Sequence, residues 1–139
     1  MANRVAMASY LNPQRFRWVF FVDSFLFPFD NKVVIAENPD EGVYIPLQEK
    51  VLRRYMQQAG LKQLPDNFDG YLKFVTRILE ENQRKGGIAE KFEASYFRSL
   101  YFADPSRQAA AGVYQKFRSG VSPLLTNTRS SRITSFATW

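Results

Sequence analysis

The sequence predicts an α/β fold, because strand-like and helix-like segments alternate along its 139 residues. Residues 18–27 form a nearly continuous apolar run, and residues 87–94 alternate between the two sides of a strand. Two segments with helical periodicity lie between these runs, and a third follows them. This order is typical of parallel strands joined by helices. It supplies about two parallel strands and three to four helices, fewer strands than an independent parallel sheet normally has.

The first strand is predicted from the run WVFFVDSFLF, which stops at Pro28. A short apolar run bounded by turn residues is typical of a strand buried on both faces, as in parallel sheets, and a short buried helix is the competing interpretation. After Pro28, the turn-forming residues Asp30, Asn38 and Gly42 predict a loop.

Two helices are predicted between the strands. The first spans residues 46–60, where Pro46 suits the first helical position and Gly60 suits a C-terminal stop. The second spans residues 66–85, with Asp66 as its N-cap and a glycine pair directly after it. One face of this second helix is apolar. That face consists of Phe68, Tyr71, Leu72, Val75, Ile78 and Leu79.

The second strand is predicted over residues 87–94, GIAEKFEA, because the glycine pair separates this alternating segment from the helix before it. A last helix is expected over about residues 104–118, with Asp104 as N-cap and Pro105 as its first residue. The apolar positions of this helix are predicted to be Ala109, Val113 and Phe117.

The sequence divides into two parts near residue 118. Residues 1–118 form the α/β body, whereas residues 119–139 contain nine Ser or Thr and no acidic residue, which predicts a flexible tail. The alternative is that the pattern of the body breaks off there, as at a truncation or a shifted reading frame. Residues 1–104 hold 14 basic and 13 acidic side chains, and residues 105–139 hold five basic ones. The net charge of +6 therefore comes mainly from the C-terminal part.

The composition excludes several classes of site. The chain contains no His and no Cys, so it cannot build a Ser-His-Asp triad, a His-based metal centre or a thiolate site by itself. The five C-terminal basic residues form no cluster, which argues against specific nucleic-acid binding. The sequence shows neither a signal segment nor an apolar stretch long enough to span a bilayer, which predicts a cytoplasmic protein without a membrane partner.

Four residues are candidates for a functional site. Lys91 lies near the end of the second strand, where α/β folds gather functional groups, and a lysine there can act as a nucleophile or base. The alternative is a surface lysine paired with Glu90 or Glu93. Tyr96 and Arg98 could orient an anionic or carbonyl substrate, or could simply stack on neighbouring aromatic side chains.

Asp23 is the fourth candidate, because it interrupts the apolar run of the first strand. A carboxylate in an apolar environment costs several kcal/mol unless it is paired or lies at a solvated strand end. It therefore either lines a pocket or marks the true end of the strand.

The segment GGIAEKFEASYFRSL at residues 86–100 resembles a stretch of the metal-dependent amidohydrolase superfamily. The resemblance rests on Lys91 followed by the Tyr-x-Arg of Tyr96 and Arg98 and then by Leu100, and it extends over roughly residues 10–118. It implies a segment of a (β/α)8 barrel that binds a divalent metal, zinc or manganese, and hydrolyses a small-molecule substrate. By resemblance, Lys91 approaches the metal or the substrate, and Tyr96 and Arg98 line the pocket.

The sequence departs from this superfamily at the metal ligands, because such enzymes use several His residues and this chain has none. We therefore expect a middle fragment of a barrel, inactive alone on amides, esters or lactones, without a cofactor of its own and self-associating through exposed strand edges. The alternative function is a small basic interaction module, which would bind an acidic partner or nucleic acid through its C-terminal tail.

Overall fold

A computed structural model describes residues 12, 14–96 and 104–118. The described part contains two strands, four α-helices and two short 3₁₀ turns. In chain order these are β1 (Trp18–Phe21), a 3₁₀ turn (Asp23–Leu26), α1 (Lys32–Glu37), α2 (Glu41–Gln58), α3 (Phe68–Arg84), β2 (Gly87–Lys91), a second 3₁₀ turn (Ala94–Tyr96) and α4 (Arg107–Phe117). The predicted tail and Arg98 lie outside the described residues.

The two strands pair in parallel, as the alternation of strands and helices predicts. Trp18 lies opposite Gly87 and Phe21 lies opposite Lys91, with an irregularity in register after Trp18. The start of β2 is packed closely against β1, since a Cβ atom at Gly87 would lie 2.8 Å from the ring of Phe20. The mixed α/β class and the number of strands are therefore confirmed for the described residues.

The first strand is shorter than the apolar run that predicted it. The ladder ends where the Val22 N–H donates to the carbonyl of Lys91 at 3.2 Å, and the chain then turns through the 3₁₀ segment. Residues 22–28 are all buried, so the apolar run continues in the core after the strand has ended. The prediction of burial on both faces of the strand is wrong, because Val19 is 45% exposed.

The predicted loop contains the short helix α1, which the sequence analysis missed. Its apolar residues Val34 and Ile35 pack on a small cluster formed by Leu26, Phe27 and Ile45. Asn31 precedes the helix and is buried. Its side-chain amide donates to the carbonyl of Phe29 at 2.8 Å, to that of Phe27 at 3.3 Å and to Glu49 Oε1 at 3.0 Å. Six residues are too few for helical periodicity to be recognised in the sequence.

Helix α2 begins five residues before the predicted start, so Pro46 lies inside the helix and not at its first position. The end of this helix is predicted correctly, because Gly60 has a positive φ of 74° just after it. The N–H of Leu61 donates to the carbonyl of Met56 at 2.8 Å, which closes the last turn in the manner of a Schellman motif.

Helix α3 carries the main apolar face of the molecule, as its periodicity predicts. Its N-cap is Asn67 and not Asp66, since the Asn67 side chain accepts the N–H of Gly70 at 2.8 Å. The chain leaves the helix through Gly86, which has a φ of 100°. The buried positions of the helix are Phe68, Tyr71, Phe74, Val75, Ile78 and Asn82.

The buried face of helix α4 is shifted by one residue from the predicted one, although Val113 still packs against the core. Its N-cap is Ser106, whose hydroxyl accepts the N–H of Ala109 at 3.2 Å. The buried side chains are Ala110 and Tyr114, whereas Ala109 is exposed. The Tyr114 hydroxyl donates to the carbonyl of Pro65 at 2.7 Å, so an aromatic residue with a polar end fixes the rotation of this helix.

The core lies among β1, α2, α3 and α4, and β2 lies at its margin. Tyr71 is fully buried in this core, and its hydroxyl donates to the carbonyl of Phe25 at 2.8 Å. In contrast, four of the five residues of β2 are exposed, and Ile88 retains 64% of its accessible surface. In the part of the chain that the structure describes, no helix combines the length and apolar character needed to cross a membrane.

Candidate functional site

The carboxyl ends of β1 and β2 bring three charged side chains together. Asp23 lies two residues after the end of β1, Lys91 is the last residue of β2, and Glu93 lies two residues farther on. Because the strands are parallel and adjacent, both ends meet at the same edge of the sheet. This is the edge at which α/β proteins gather their functional groups.

Asp23 joins the two strand ends. Its Oδ1 atom accepts the backbone N–H of Glu93 at 2.8 Å. The side chain has no solvent-accessible surface. Asp23 therefore follows the strand, as one of the two sequence interpretations holds, but it does not line an open pocket in this structure.

The electrostatics of Asp23 favour its neutral form. Burial raises the pKa of the Asp23 carboxyl, and the neighbouring Glu93 carboxylate acts in the same direction. The Glu93 N–H and the Tyr44 hydroxyl partly offset this rise by favouring the charged form. Burial also raises the pKa of Tyr44, as does the Asp23 carboxylate. A proton is therefore held more tightly on Asp23 than on an exposed aspartate.

Lys91 lies on the accessible side of the site. Its side chain is 47% exposed, and its Nζ atom is 3.9 Å from Glu93 Oε1. The same atom lies 5.3 Å from the centroid of the Phe21 ring, so Lys91 and Phe21 share one face of the sheet. The pairing with Glu93 agrees with the surface interpretation of Lys91. The ammonium group nevertheless remains accessible to solvent at the strand ends.

Tyr96 lies farther out on the same connection. It ends the short 3₁₀ turn after β2, is 74% exposed, and donates its backbone N–H to the carbonyl of Glu93 at 3.0 Å. The structure thus places Asp23 and Lys91 around Glu93, with Tyr96 three residues beyond it. The predicted partner Arg98 belongs to residues 97–103, which the structure does not describe.

Two residues of the site were missed by the sequence analysis as site residues. Glu93 has a recognisable signal, because it lies two residues after Lys91 and just beyond the end of a predicted parallel strand. Tyr44 has none, because it falls in a segment that was predicted to be a loop. It reaches Asp23 only because α2 begins early and packs against the 3₁₀ turn after β1.

The described residues do not fit the divalent metal that the resemblance implies. In residues 12, 14–96 and 104–118, no three His, Cys, Asp or Glu side chains are grouped so that they could hold a metal ion. Of the two carboxylates at the strand ends, Asp23 is enclosed and Glu93 is paired with Lys91. This edge therefore offers an accessible ammonium donor with a carboxylate 3.9 Å away, and a buried carboxyl group that accepts a backbone N–H of the same segment.

A separate surface groove of about 460 Å³ lies along α3 and the start of α4 and contains none of these residues. Its charged side chains are largely paired, as in the 2.6 Å contact between Arg107 and Asp69. Such exposed pairs contribute little and are typical of an ordinary solvated surface.

Comparisons of the chain with protein-family models, with curated proteins and with solved structures find no match.

Proposed function

We propose that the chain is a segment of an amidohydrolase-like hydrolase, built as part of a (β/α) barrel, which presents substrate-facing groups at the carboxyl ends of two parallel strands. The observation that carries the proposal is the position of the Lys91–Glu93 pair at the end of β2, directly beside the end of β1. The resemblance of residues 86–100 to that superfamily supports the same assignment. The substrate class is a small molecule with an amide, ester or lactone carbonyl.

Each residue has a distinct role in this proposal. The Lys91 ammonium donates a hydrogen bond to the carbonyl oxygen of the substrate and stabilises negative charge that develops there. Glu93 orients the ammonium through their ion pair. Tyr96 and Arg98 contact the remainder of the substrate. Asp23 has no exposed surface, so we assign it to holding the backbone of Glu93 and not to direct substrate contact.

Attack on the carbonyl also requires an activated water molecule. In hydrolases of this kind a divalent metal supplies that activation. The described residues of this chain offer no ligand group for such an ion, so this step needs residues from elsewhere. The chain alone is therefore proposed to bind the carbonyl group without hydrolysing it.

Binding of a neutral carbonyl probe tests the proposal. Benzamide and δ-valerolactone are titrated into the ¹⁵N-labelled full chain, and amide chemical shifts are followed by NMR. We expect shift changes centred on residues 91–93 that are lost in Lys91→Met. Lys85→Met is the matched control, because Lys85 is an exposed lysine just before the opposite end of β2. Shifts elsewhere, or shifts that survive in Lys91→Met, overturn the assignment of the site.

A hydrolysis assay tests the proposed inactivity. The full chain is incubated with amide, ester and lactone substrates in the presence of Zn²⁺ or Mn²⁺. We expect no turnover above the metal alone. Turnover that disappears in Lys91→Met contradicts the proposal that water activation requires residues from elsewhere.

A further inference from the structure

The contact between Asp23 and Glu93 connects a buried titratable group to the accessible part of the proposed site. Asp23 Oδ1 accepts the N–H of Glu93 at 2.8 Å. At the last position of β2, the carbonyl of Lys91 accepts the N–H of Val22 at 3.2 Å. The position of the Lys91–Glu93 pair thus depends on the segment that follows β1. Ionisation of Asp23 strengthens its hydrogen bond with the Glu93 N–H, because a carboxylate is the better acceptor, so release of the segment depends on the cost of burying the charge, which is the larger effect and acts in the opposite direction.

We propose that Asp23 is a positioning residue, and that ionisation of its buried carboxyl weakens closure of the segment that holds Lys91 and Glu93. This proposal concerns the regulation of the Lys91–Glu93 site. It rests on the proposed function, because release of the segment regulates substrate binding only where this site binds a substrate. The release of the segment does not depend on that function, because it involves only interactions among the described residues.

The surroundings of Asp23 disfavour its charged form. Tyr44 and the buried Glu41 face this region from α2, and Glu93 faces it from the end of β2. The basic side chain of the site, Lys91, is paired with Glu93. Among the described residues, no ion pair involves Asp23. An ionised Asp23 would therefore keep the Glu93 N–H as a donor, but it would be enclosed beside the Glu93 carboxylate without an ion pair among the described residues.

The direction of the pH effect follows from proton linkage. Burial raises the pKa of Asp23 above its ordinary value of 3.8 in the closed arrangement. A state in which the segment has opened and Asp23 is solvated has the ordinary pKa. The closed state then binds more protons than the open state between these two values. The closed state is therefore most favoured below the ordinary pKa of aspartate, and it becomes less favoured as the pH rises through the raised pKa of Asp23.

Hydrogen exchange at the Glu93 amide tests this proposal on the full chain without any ligand. Protection factors are measured by NMR over a pH series, each corrected for intrinsic exchange. Where opening of the segment is coupled to the loss of one proton from Asp23, the protection factor of the Glu93 amide is expected to fall by about tenfold per pH unit. This fall occurs between the ordinary pKa of aspartate and the raised pKa of Asp23. In Asp23→Asn, the side-chain oxygen still accepts the N–H but cannot ionise, so protection should stay constant across the series.

Asp30→Asn is the matched control, because Asp30 Oδ1 also accepts a backbone N–H, that of Lys32 at 3.0 Å, but this contact is local and does not involve Glu93. This variant should leave the pH profile of Glu93 as it is in the unmodified chain. Titration of the Asp23 carboxyl carbon in the unmodified chain provides a measurement that needs no variant. Asp23 should titrate above the ordinary range of aspartate.

Two results would overturn the proposal. One is a Glu93 protection factor that does not vary with pH, and the other is a fall of equal size in Asp23→Asn. Either result leaves the proposed carbonyl site standing, because the probe titration reports on Lys91. Conversely, when the carbonyl probes do not bind, the proposed function fails, but the pH-dependent release of the segment is not contradicted.

Discussion

The two strands belong to one sheet, yet they have very different surroundings. Phe20 of β1 lies in the main core, whereas four of the five residues of β2 are exposed. The strand β1, which is exposed only at Val19, contributes Phe20 to the core, and the largely exposed strand β2 presents Lys91 to solvent. A functional site needs a rigid support and an accessible edge, and in this sheet β1 supplies the support and β2 supplies the edge. Four substitutions test this division.

Replacement of Phe20 by Ala should have the largest effect. The phenylalanine ring is buried among core residues and covers Gly87, so its removal leaves a cavity between the strands. We expect a loss of about 3–5 kcal/mol in the free energy of unfolding, measured by urea denaturation. A loss below about 1 kcal/mol would contradict the placement of β1 in the core, since such a small cost is typical of an exposed side chain.

Replacement of Gly87 by Ala should have the next largest effect. The new methyl group would lie 2.8 Å from the Phe20 ring and 3.0 Å from the carbonyl oxygen of Asn82. Overpacking of this kind costs about 1–3 kcal/mol. Gly112→Ala is the matched control, because its Cβ would meet no atom within 4 Å and it lies within α4. That control should stabilise the protein by about 0.4–1 kcal/mol. Equal effects at both glycines would argue against close pairing of the strands.

Replacement of Tyr71 by Phe isolates one hydrogen bond between α3 and the segment after β1. The tyrosine hydroxyl is buried and donates to the carbonyl of Phe25. Its removal leaves that carbonyl without this donor, which should cost about 1 kcal/mol. Tyr96→Phe removes a hydroxyl from an exposed residue and should leave the unfolding free energy within about 0.5 kcal/mol. A similar loss in both variants would show that the phenolic group matters for another reason.

Replacement of Ile88 by Ala should have the smallest effect, because the side chain is largely exposed. We expect a change within about 0.5 kcal/mol. Sedimentation of both proteins provides the second measurement. A larger loss that grows with protein concentration would show that a second copy covers β2, as the sequence-based expectation of self-association through strand edges requires.

The class of fold and three of the larger elements follow from the sequence. Helix α3 has the strongest periodicity and is found with its ends within about two residues of prediction, which is the usual accuracy for helix boundaries. Gly60 and Gly86 mark helix ends because both adopt the positive φ that other residues avoid. The second strand lies where the alternation of residues 87–94 places it, although it ends at Lys91.

The errors have a common origin in tertiary contacts. The apolar run after Phe21 is buried without being a strand, because the core accepts apolar side chains from a 3₁₀ turn as readily as from a sheet. The face of α4 is displaced by one residue, because the Tyr114 hydroxyl finds an acceptor at Pro65. Hydrophobic periodicity depends on which residues are apolar. It contains no information about which polar groups of their side chains form hydrogen bonds.

The candidate site shows the same separation between local and non-local information. The sequence alone determined that the chain lacks imidazole and thiol ligands, that Lys91 lies near the end of a strand, and that Asp23 interrupts an apolar run. Only the tertiary structure decided that Asp23 binds the backbone of Glu93, seventy residues away, and that Tyr44 lies beside it. The physical reason is that residue type is a local property of the chain, whereas burial and hydrogen-bond partners are set by segments that meet only after folding.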